Sequence, residues 1–564
     1  MPRASGPTTS QSRQSMSSSS RPATERLTNL IRGMTPLART RCRRTAPGSI
    51  APAAGPHSLC PEPGRRGRTM PRSSTGLHAL TSQQLTASGS PHDRVYVEAA
   101  PGSGKTTVSA LRFGMHRFAA PTDPRAVVAV SFTRSATEEL RTRVIRQWGS
   151  ASLRWPHRIV TLDTLLCDLL FHLLNQGVLH WPVGHTELEV LDTWRTTLPT
   201  KPTRIKPVLQ VHGGHIAMRT VDETQTANHP STMDFKAAVS SGTCTHDNVR
   251  EVLQGALTTE AARRALSAFF ETSVRSLTVD EVFDANDLDR EIFSLAASAP
   301  TSLALVGDPW QALYQFRGAR PAAMKAYISE NGFITHHLDE SFRWGTDRQA
   351  WLTRRLRQSL PIKLETGSAR EADMVLALNW KALWESDSHV LPLAIAHGIS
   401  QAHKAICTLI LNEIALNSLG LQAVFLHDAL LTLRLDRESL ETTLRPYLQS
   451  VVADLKDGQQ PASVWDGLVP HITELIPGIT PTQLARRPLS ALNHLQRRLT
   501  TNNLTPGLTC HQSKGREWDT VCVALSPSDA SALRYGLDSD RANHRALYVA
   551  LTRARLNTLA LPLA

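Results

Sequence analysis

Short runs of consecutive apolar residues recur along the chain, each ending on polar residues and followed by a helical repeat. RVYVEA (94–99), AVVAVSF (126–132), RIVTL (158–162), RSLTVDE (275–281) and SLALVGD (302–308) form a first set, and DTVCVAL (519–525) and NTLALPL (557–563) a second. Continuous rather than alternating apolar runs imply strands covered on both faces, hence parallel sheets flanked by helices. The stretch from 166 to 274 shows no such strand, and 381–500 reads as helix, with AHKAICTLILNEIALNSL its plainest example. TLLCDLLFHLL is broken by Asp168 and His172 and is too short to cross a bilayer, so it reads as a buried helix. The pattern predicts an α/β protein of two parallel-sheet cores, each interrupted by a mostly helical insertion.

Composition is that of a folded soluble protein, with 41% hydrophobic and 20% charged residues among 564. The net charge of +13 is unevenly placed. Residues 1–72 hold thirteen Arg, no Lys and two acids (Glu25 and Glu62), a charge of +11, which leaves +2 for the rest. Bulk charge therefore gives the folded part no warrant for nucleic-acid binding, and any such path must come from local patches. Residues 1–75, rich in Ser, Arg, Pro and Gly, cannot bury enough apolar surface to offset their ordering entropy and are expected to be a disordered tail. Seven cysteines without a C-x-x-C pair point away from zinc and iron–sulfur sites and toward a reducing cytoplasm. No membrane association is expected.

The candidate chemistry starts at EAAPGSGKTT (98–107). Gly102 and Gly104 let backbone N–H groups approach phosphates, and the helix that follows presents its positive end to them. Lys105 would reach the outer phosphates and the Thr106 hydroxyl a Mg²⁺ ion. LTVDEVFD supplies adjacent carboxylates at a strand end, Asp280 for the metal and Glu281 for the attacking water. In SLALVGDPWQALYQFRGARP, Gln311 could contact the γ-phosphate or the water. Phe316 and Arg317 form an aromatic–cation pair suited to stacking on bases and gripping a backbone.

The order of these elements resembles the UvrD/Rep-type superfamily 1 DNA helicases, with matching segments scattered from about residue 80 to 555. LTSQQ is similar to the family's adenine-reading Q motif, which implies Gln84 as reader. EAAPGSGKTT matches its A-x-x-G-x-G-K-T loop, so that Ala99, Ala100, Pro101, Gly102, Ser103, Gly104, Lys105, Thr106 and Thr107 would line the nucleotide. SFTRSATEELRTRV resembles a segment that touches single-stranded DNA, through Phe132, Thr133 and Arg134, and TLDTLL resembles another, through Thr161. GDPWQALYQFRGA matches G-D-x-x-Q-S-I-Y-x-F-R-G-A. LDESFRW resembles L-x-x-N-Y-R-S, implying Phe342 on adenine and Arg343 on the γ-phosphate. TCHQSKGREWDTV resembles T-x-H-x-x-K-G-L-E-F-x-x-V, implying Glu517 on the ribose and His511 at the DNA. ALYVALTRAR matches the closing Y-V-A-L-T-R-A-[KR], implying Arg553 as a second phosphate-sensing arginine.

The resemblance implies two RecA-like P-loop cores, a first at 76–165 with 275–337 and a second at 338–380 with 501–564. Insertions occupy 166–274 and 381–500. It implies ATP and Mg²⁺ as cofactors, single-stranded and tailed duplex DNA as partners, a repair or replication protein beside them, and a monomer moving 3′ to 5′. Three departures bear on strand separation. Asp163 stands where the family has His, adding a charge that DNA would repel. Phe283 stands where it has Gln, which removes a polar relay between the ATP site and His511. Pro309 and Trp310 replace acids. A translocase that displaces proteins without unwinding, or a nucleotide-switched DNA-binding protein with weak ATPase, stay open beside the helicase reading.

Overall fold

The structure, a computed structural model, describes residues 80–563. The expected tail at 1–75 lies outside the described residues. The first part of the chain contains β1 (Arg94–Ala99), β2 (Ala126–Ser131), β3 (Arg158–Thr161), β4 (Glu189–Leu191), β5 (Thr200–His212), β6 (His215–Pro230), β7 (Thr243–Thr245), β8 (Val274–Asp280), β9 (Ser302–Gly307) and β10 (Ile334–Leu338). Six of these form one sheet in the order β10-β1-β9-β8-β2-β3, with every pairing parallel.

Both faces of this sheet are buried, as the unbroken apolar runs require. Val127 and Ala129 of β2 pack with Phe113, Leu140 and Val144 from helices Lys105–Ala119 and Arg134–Trp148. Val128 and Val130, pointing the other way, pack with helix Leu162–Asn175, the helix read from TLLCDLLFHLL, and with helix Asp287–Ser298. Parallel strands aligned this way send all their C-terminal ends to one edge, where ligands of open α/β sheets bind. The loops after β1, β2, β3, β8, β9 and β10 therefore converge.

A second sheet follows: β11 (Met374–Ala377), β12 (Val390–Pro392), β13 (Thr505–Thr509), β14 (Trp518–Leu525) and β15 (Ala554–Pro562), in the order β12-β13-β11-β14-β15, again all parallel. The helices between β12 and β13 share one continuous hydrophobic core with this sheet. Helix Ala402–Leu419 is buried on nearly every side, which explains its apolar character all round.

The insertion at 166–274 departs from the helical expectation. Its centre is a long antiparallel hairpin, β5 with β6, closed by Gly213 and Gly214. Both glycines have positive φ, which a two-residue hairpin turn of this twist demands. A Gly-Gly pair between β-branched segments is a hairpin signal. Pro202 and Pro207 mask it on β5, because proline argues against a strand unless that strand has a free edge. In a two-stranded ribbon each strand keeps one free edge.

Candidate active site

The convergent loops build a cleft whose far wall comes from the second sheet. Gly102 (φ 74°) and Gly104 (φ 90°) hold the loop after β1 in a left-handed conformation, and helix Lys105–Ala119 starts directly from it. A Cβ on Gly102 would come within 2.5 Å of the Arg343 Cβ, so the loop and the Arg343 segment fit only around glycine. Ser341 Oγ donates to Pro101 O at 2.7 Å, and the Phe342 N–H donates to Gly102 O at 3.0 Å. The two halves of the candidate site thus meet at the phosphate loop itself.

Behind the loop, Gln84 is buried. Its Nε2 donates to Ser103 O at 2.9 Å and its Oε1 accepts from Thr81 N at 3.2 Å, closing a capping box on helix Ser82–Gly89. Gln84 braces the loop and keeps one N–H and one lone pair unused. Ala99 pairs with Leu338 across β1 and β10, and Ala100 N donates to Leu338 O. Thr106 lies in the first turn of the helix, beside Thr107, whose hydroxyl accepts from Arg143 at 2.9 Å.

At the end of β8, Asp280 Oδ1 accepts the Glu281 N–H at 3.0 Å. Glu281 has φ 59°, a left-handed conformation that costs a non-glycine residue about 1–2 kcal/mol. Strain of this kind gathers at functional sites. Glu281 faces two ammonium groups, Lys105 Nζ at 3.7 Å and Lys514 Nζ at 3.5 Å. Burial favours the neutral form of both acids, yet their pKa values are pushed apart. Burial, and then the Glu281 charge, push Asp280 up to about 7. For Glu281 the two ammonium groups outweigh burial and hold its carboxyl well below the usual range.

Gln311 lies in a short turn capped by Asp308, and its Nε2 donates to Asp308 Oδ2 at 2.7 Å. Asp308 Oδ1 also accepts from Arg357 at 3.0 Å, and Arg357 reaches Glu98 on β1 at 3.0 Å. Arg357 belongs to helix Asp347–Arg357 and clamps the second lobe to the first. Trp310 is buried in the second core, its ring centroid 5.0 Å from that of Tyr548. Trp310 thus gives the lobes an apolar junction.

From the second lobe, Arg343 Nε donates to Glu517 Oε2 at 2.9 Å and Nη1 to Thr552 O at 3.0 Å. Two residues assigned to the nucleotide therefore bind each other here. Arg553 is buried; Nε donates to Val549 O at 3.0 Å, while Nη2 has no acceptor. Burial and then the Arg343 guanidinium disfavour its charge, and Glu281 acts on it in the opposite sense. A buried guanidinium with an unmet N–H, a glycine-lined loop and a lysine fit a polyphosphate. Asp280 and Thr106 fit a hard cation in their choice of oxygen donors. Phe342 is 57% exposed, its ring open to a planar partner.

The candidate DNA residues fall in two groups. Thr133 and Thr161 are the N-caps of helices Arg134–Trp148 and Leu162–Asn175, accepting from Ala136 N and Thr164 N at 3.2 Å each. Ser131 and Thr161 pair across β2 and β3, so two helix N-termini open side by side, with Phe132 packed beneath. The exposed Arg134 is held by Asp192 of the insertion. In the second group, Phe316 is 69% exposed, with Arg317 5.6 Å from its ring and the His511 ring centroid 5.6 Å away. This group sits at the seam of the lobes.

One of the expected departures is corrected. Asp163 is not a free charge: its Oδ1 accepts from Arg250 Nε and Nη2 at 3.0 and 2.9 Å, and Arg250 also binds Asp289 at 2.8 Å. Phe283 is buried against Tyr96. Beside it Lys514, three residues after His511, joins Glu281 at 3.5 Å to Asp284 at 2.5 Å. Lys514, Arg357 and Asp284 are the residues that sequence reasoning missed. The H-x-x-K-G match contains Lys514, but its partners lie over 200 positions away.

Comparison with known proteins agrees with this geometry. The profile of the UvrD/REP helicase N-terminal domain matches residues 80–189 and 225–330, and that of the UvrD-like helicase C-terminal domain matches 508–558. YjcD of Bacillus subtilis (strain 168), provisionally named an ATP-dependent DNA helicase, is 24% identical over 308 residues. The match covers 46% of this chain and 37% of that relative's length. Both profiles are those of UvrD-like helicases, and together they cover a little under half of the chain. The unmatched gap at 190–224 takes in β5 and much of β6, which is why the resemblance gave no warning of the hairpin. Among the described residues no helix is long and apolar enough to cross a membrane.

Proposed function

We propose that the chain is an ATP-driven motor that moves 3′ to 5′ along single-stranded DNA and unwinds tailed duplexes. One observation carries the reading: Lys105 and Glu281 of the first lobe share a cleft with Arg343 and Arg553 of the second. In this reading 76–165 with 275–337 and 338–380 with 501–564 are the two motor cores, and 166–274 and 381–500 their insertions.

ATP is the substrate, and Mg²⁺ held by Thr106 and Asp280 would neutralise phosphate charge. Lys105 and the N–H groups of residues 102–107 hold the phosphates, with Gln84 bracing the loop. Phe342 stacks on the base, and Glu517, released from Arg343, reaches the ribose. Glu281, kept ionised by Lys105 and Lys514, orients the attacking water and takes its proton at a carboxylate oxygen. Gln311, anchored on Asp308, contacts the γ-phosphate side. Arg343 and Arg553 supply charge where it develops in the transition state. Because they come from the other lobe, each cycle is tied to lobe closure, which shifts the grip at Thr133, Arg134 and Thr161 relative to that at Phe316, Arg317 and His511. A cytoplasmic monomer working beside a repair or replication protein completes the reading.

A second reading, a translocase that displaces proteins without separating strands, draws on the engagement of Arg134, a candidate strand contact, by Asp192. The test is ATP turnover with and without single-stranded DNA, then unwinding of duplexes with 3′ or 5′ tails. Turnover stimulated by DNA with 3′-tail unwinding supports the proposal. Stimulated turnover without unwinding supports the second reading, and no turnover sinks both.

A further inference from the structure

The insertion at 166–274 meets the candidate strand surface of the first core at two points, both beside the helix N-termini capped by Thr133 and Thr161. At one, Arg250 of helix His246–Ala256 takes up the charge of Asp163. At the other the signs are reversed: Asp192 of the insertion takes up the charge of Arg134. Arg134 opens its helix with its side chain 77% exposed, and its one ion-pair partner among the described residues is Asp192.

Asp192 is not a loose surface charge. It directly follows β4, whose register against β7 pairs Leu191 with Thr245, so Asp192 stands beside His246. The His246 Nε2 lies 3.6 Å from Asp192 Oδ1, and its Nδ1 lies 3.7 Å from Cys167 Sγ. On the other side, Thr193 caps the turn Trp194–Thr196. Within that turn Arg195 donates to Ile399 O and Thr432 Oγ1 of the second insertion, at 2.7 Å each. The stretch from β4 to Arg195 is thus tied down at both ends, with the carboxylate on Arg134 between them.

A pair as exposed as Arg134 and Asp192 is weak enough to exchange. A phosphate offers a guanidinium the same charge-assisted bonds as a carboxylate. The two anions repel each other, so they compete for Arg134 rather than share it.

We propose that Asp192 is a built-in placeholder for a strand phosphate, occupying Arg134 until a phosphate displaces it. The strand then binds at this point by exchange and not by addition. What Arg134 gains from the phosphate is offset by the loss of the carboxylate. Asp192 is in this sense a positioning residue, and it sets how readily the first lobe takes up a strand. The inference rests on the reading that the chain binds single-stranded DNA through Arg134.

The test is a double-mutant cycle on the full chain, read by fluorescence anisotropy with a labelled oligothymidylate at several salt concentrations. Asp192→Asn, which keeps the shape and removes the charge, binds the strand about fivefold more tightly at low salt, the upper range for one exposed ion pair. The gain shrinks as salt screens the charges. Asp192→Glu binds as the wild type does. Arg134→Ala weakens binding about twofold beside Asp192 and about tenfold in the Asp192→Asn background, a non-additivity that a merely structural residue would not produce. In ATP turnover, Asp192→Asn lowers the strand concentration at half-maximal stimulation about fivefold and leaves the maximal rate unchanged. If Asp192→Asn melts below the wild type, Asp192→Ser makes the same comparison. The proposal is overturned if the neutral variant, melting at the wild-type temperature, binds the strand with wild-type or lower affinity. It is equally overturned if Arg134→Ala costs the same with Asp192 as without it. A wild type that binds no strand removes the motor reading itself. A wild type that binds and is stimulated by DNA, beside an unchanged Asp192→Asn, removes only the placeholder.

Discussion

The Lys105 ammonium and the Glu281 carboxylate stand 3.7 Å apart, Lys105 opening the helix that follows β1 and Glu281 directly following β8, two strands that are not neighbours in the sheet. The pair is flanked by Lys514 from the other lobe. A partly exposed pair of this kind adds little stability, and the left-handed backbone of Glu281 costs some. The arrangement is understandable as one that keeps Glu281 ionised in a cleft.

Lys105→Ala and Glu281→Gln should each lower ATP turnover by about 100-fold or more, in line with the loss of a transition-state contact. Binding of single-stranded DNA should persist in both. Steady-state ATPase assays beside fluorescence anisotropy check this. A variant that hydrolysed ATP at the parental rate would show that the site is elsewhere.

Asp280 gives a pH-dependent stability. Its folded pKa, about 7, exceeds the ordinary carboxylate value near 4. A raised acid binds its proton more tightly when folded, so its contribution falls as pH rises through that window. Asp280→Asn, whose side-chain oxygen can still accept the Glu281 N–H, should therefore raise the melting temperature by a few degrees at pH 8 without Mg²⁺ or nucleotide. The gain should vanish at pH 4. Calorimetry at the two pH values decides, and an equal shift at both would exclude the titration of Asp280 as its cause.

Arg343→Ala and Arg553→Ala should each reduce kcat by about 10³-fold, the low end for arginines acting on a transferring phosphoryl group. KM for ATP should change much less. Lysine should not rescue Arg553, because the unmet Nη2 needs a guanidinium's reach and fork. Losses confined to KM would assign the arginines to ground-state binding.

Arg357→Met should destabilise the chain by about 3 kcal/mol, since it strands Glu98 and Asp308 without their partner. Urea unfolding measures this. A neutral result would mean that the clamp between the lobes adds nothing.

What the sequence made legible was whatever repeats locally. Val127 to Val130 and Leu277 to Val279 announce buried parallel strands because both faces need apolar side chains. The loop at 99–107 and the segment ending at Arg553 are contiguous, and the structure brings them to one cleft. Short or half-exposed strands left no such trace: β10 reads ITHHL, and β11 is only four residues long. The hairpin was hidden by its own prolines. Hardest to foresee were partners far apart in the chain, such as Arg357 with Glu98, Lys514 with Asp284 and Arg250 with Asp163. No local period encodes those pairs. Only the topology brings them together.

The most direct test of a motor fuelled in this cleft is the rate of ATP hydrolysis by the full chain with and without single-stranded DNA. Turnover should rise about tenfold or more with DNA and vanish in the Lys105→Ala variant whether or not DNA is present. Turnover indifferent to DNA, or surviving that substitution, would contradict the account.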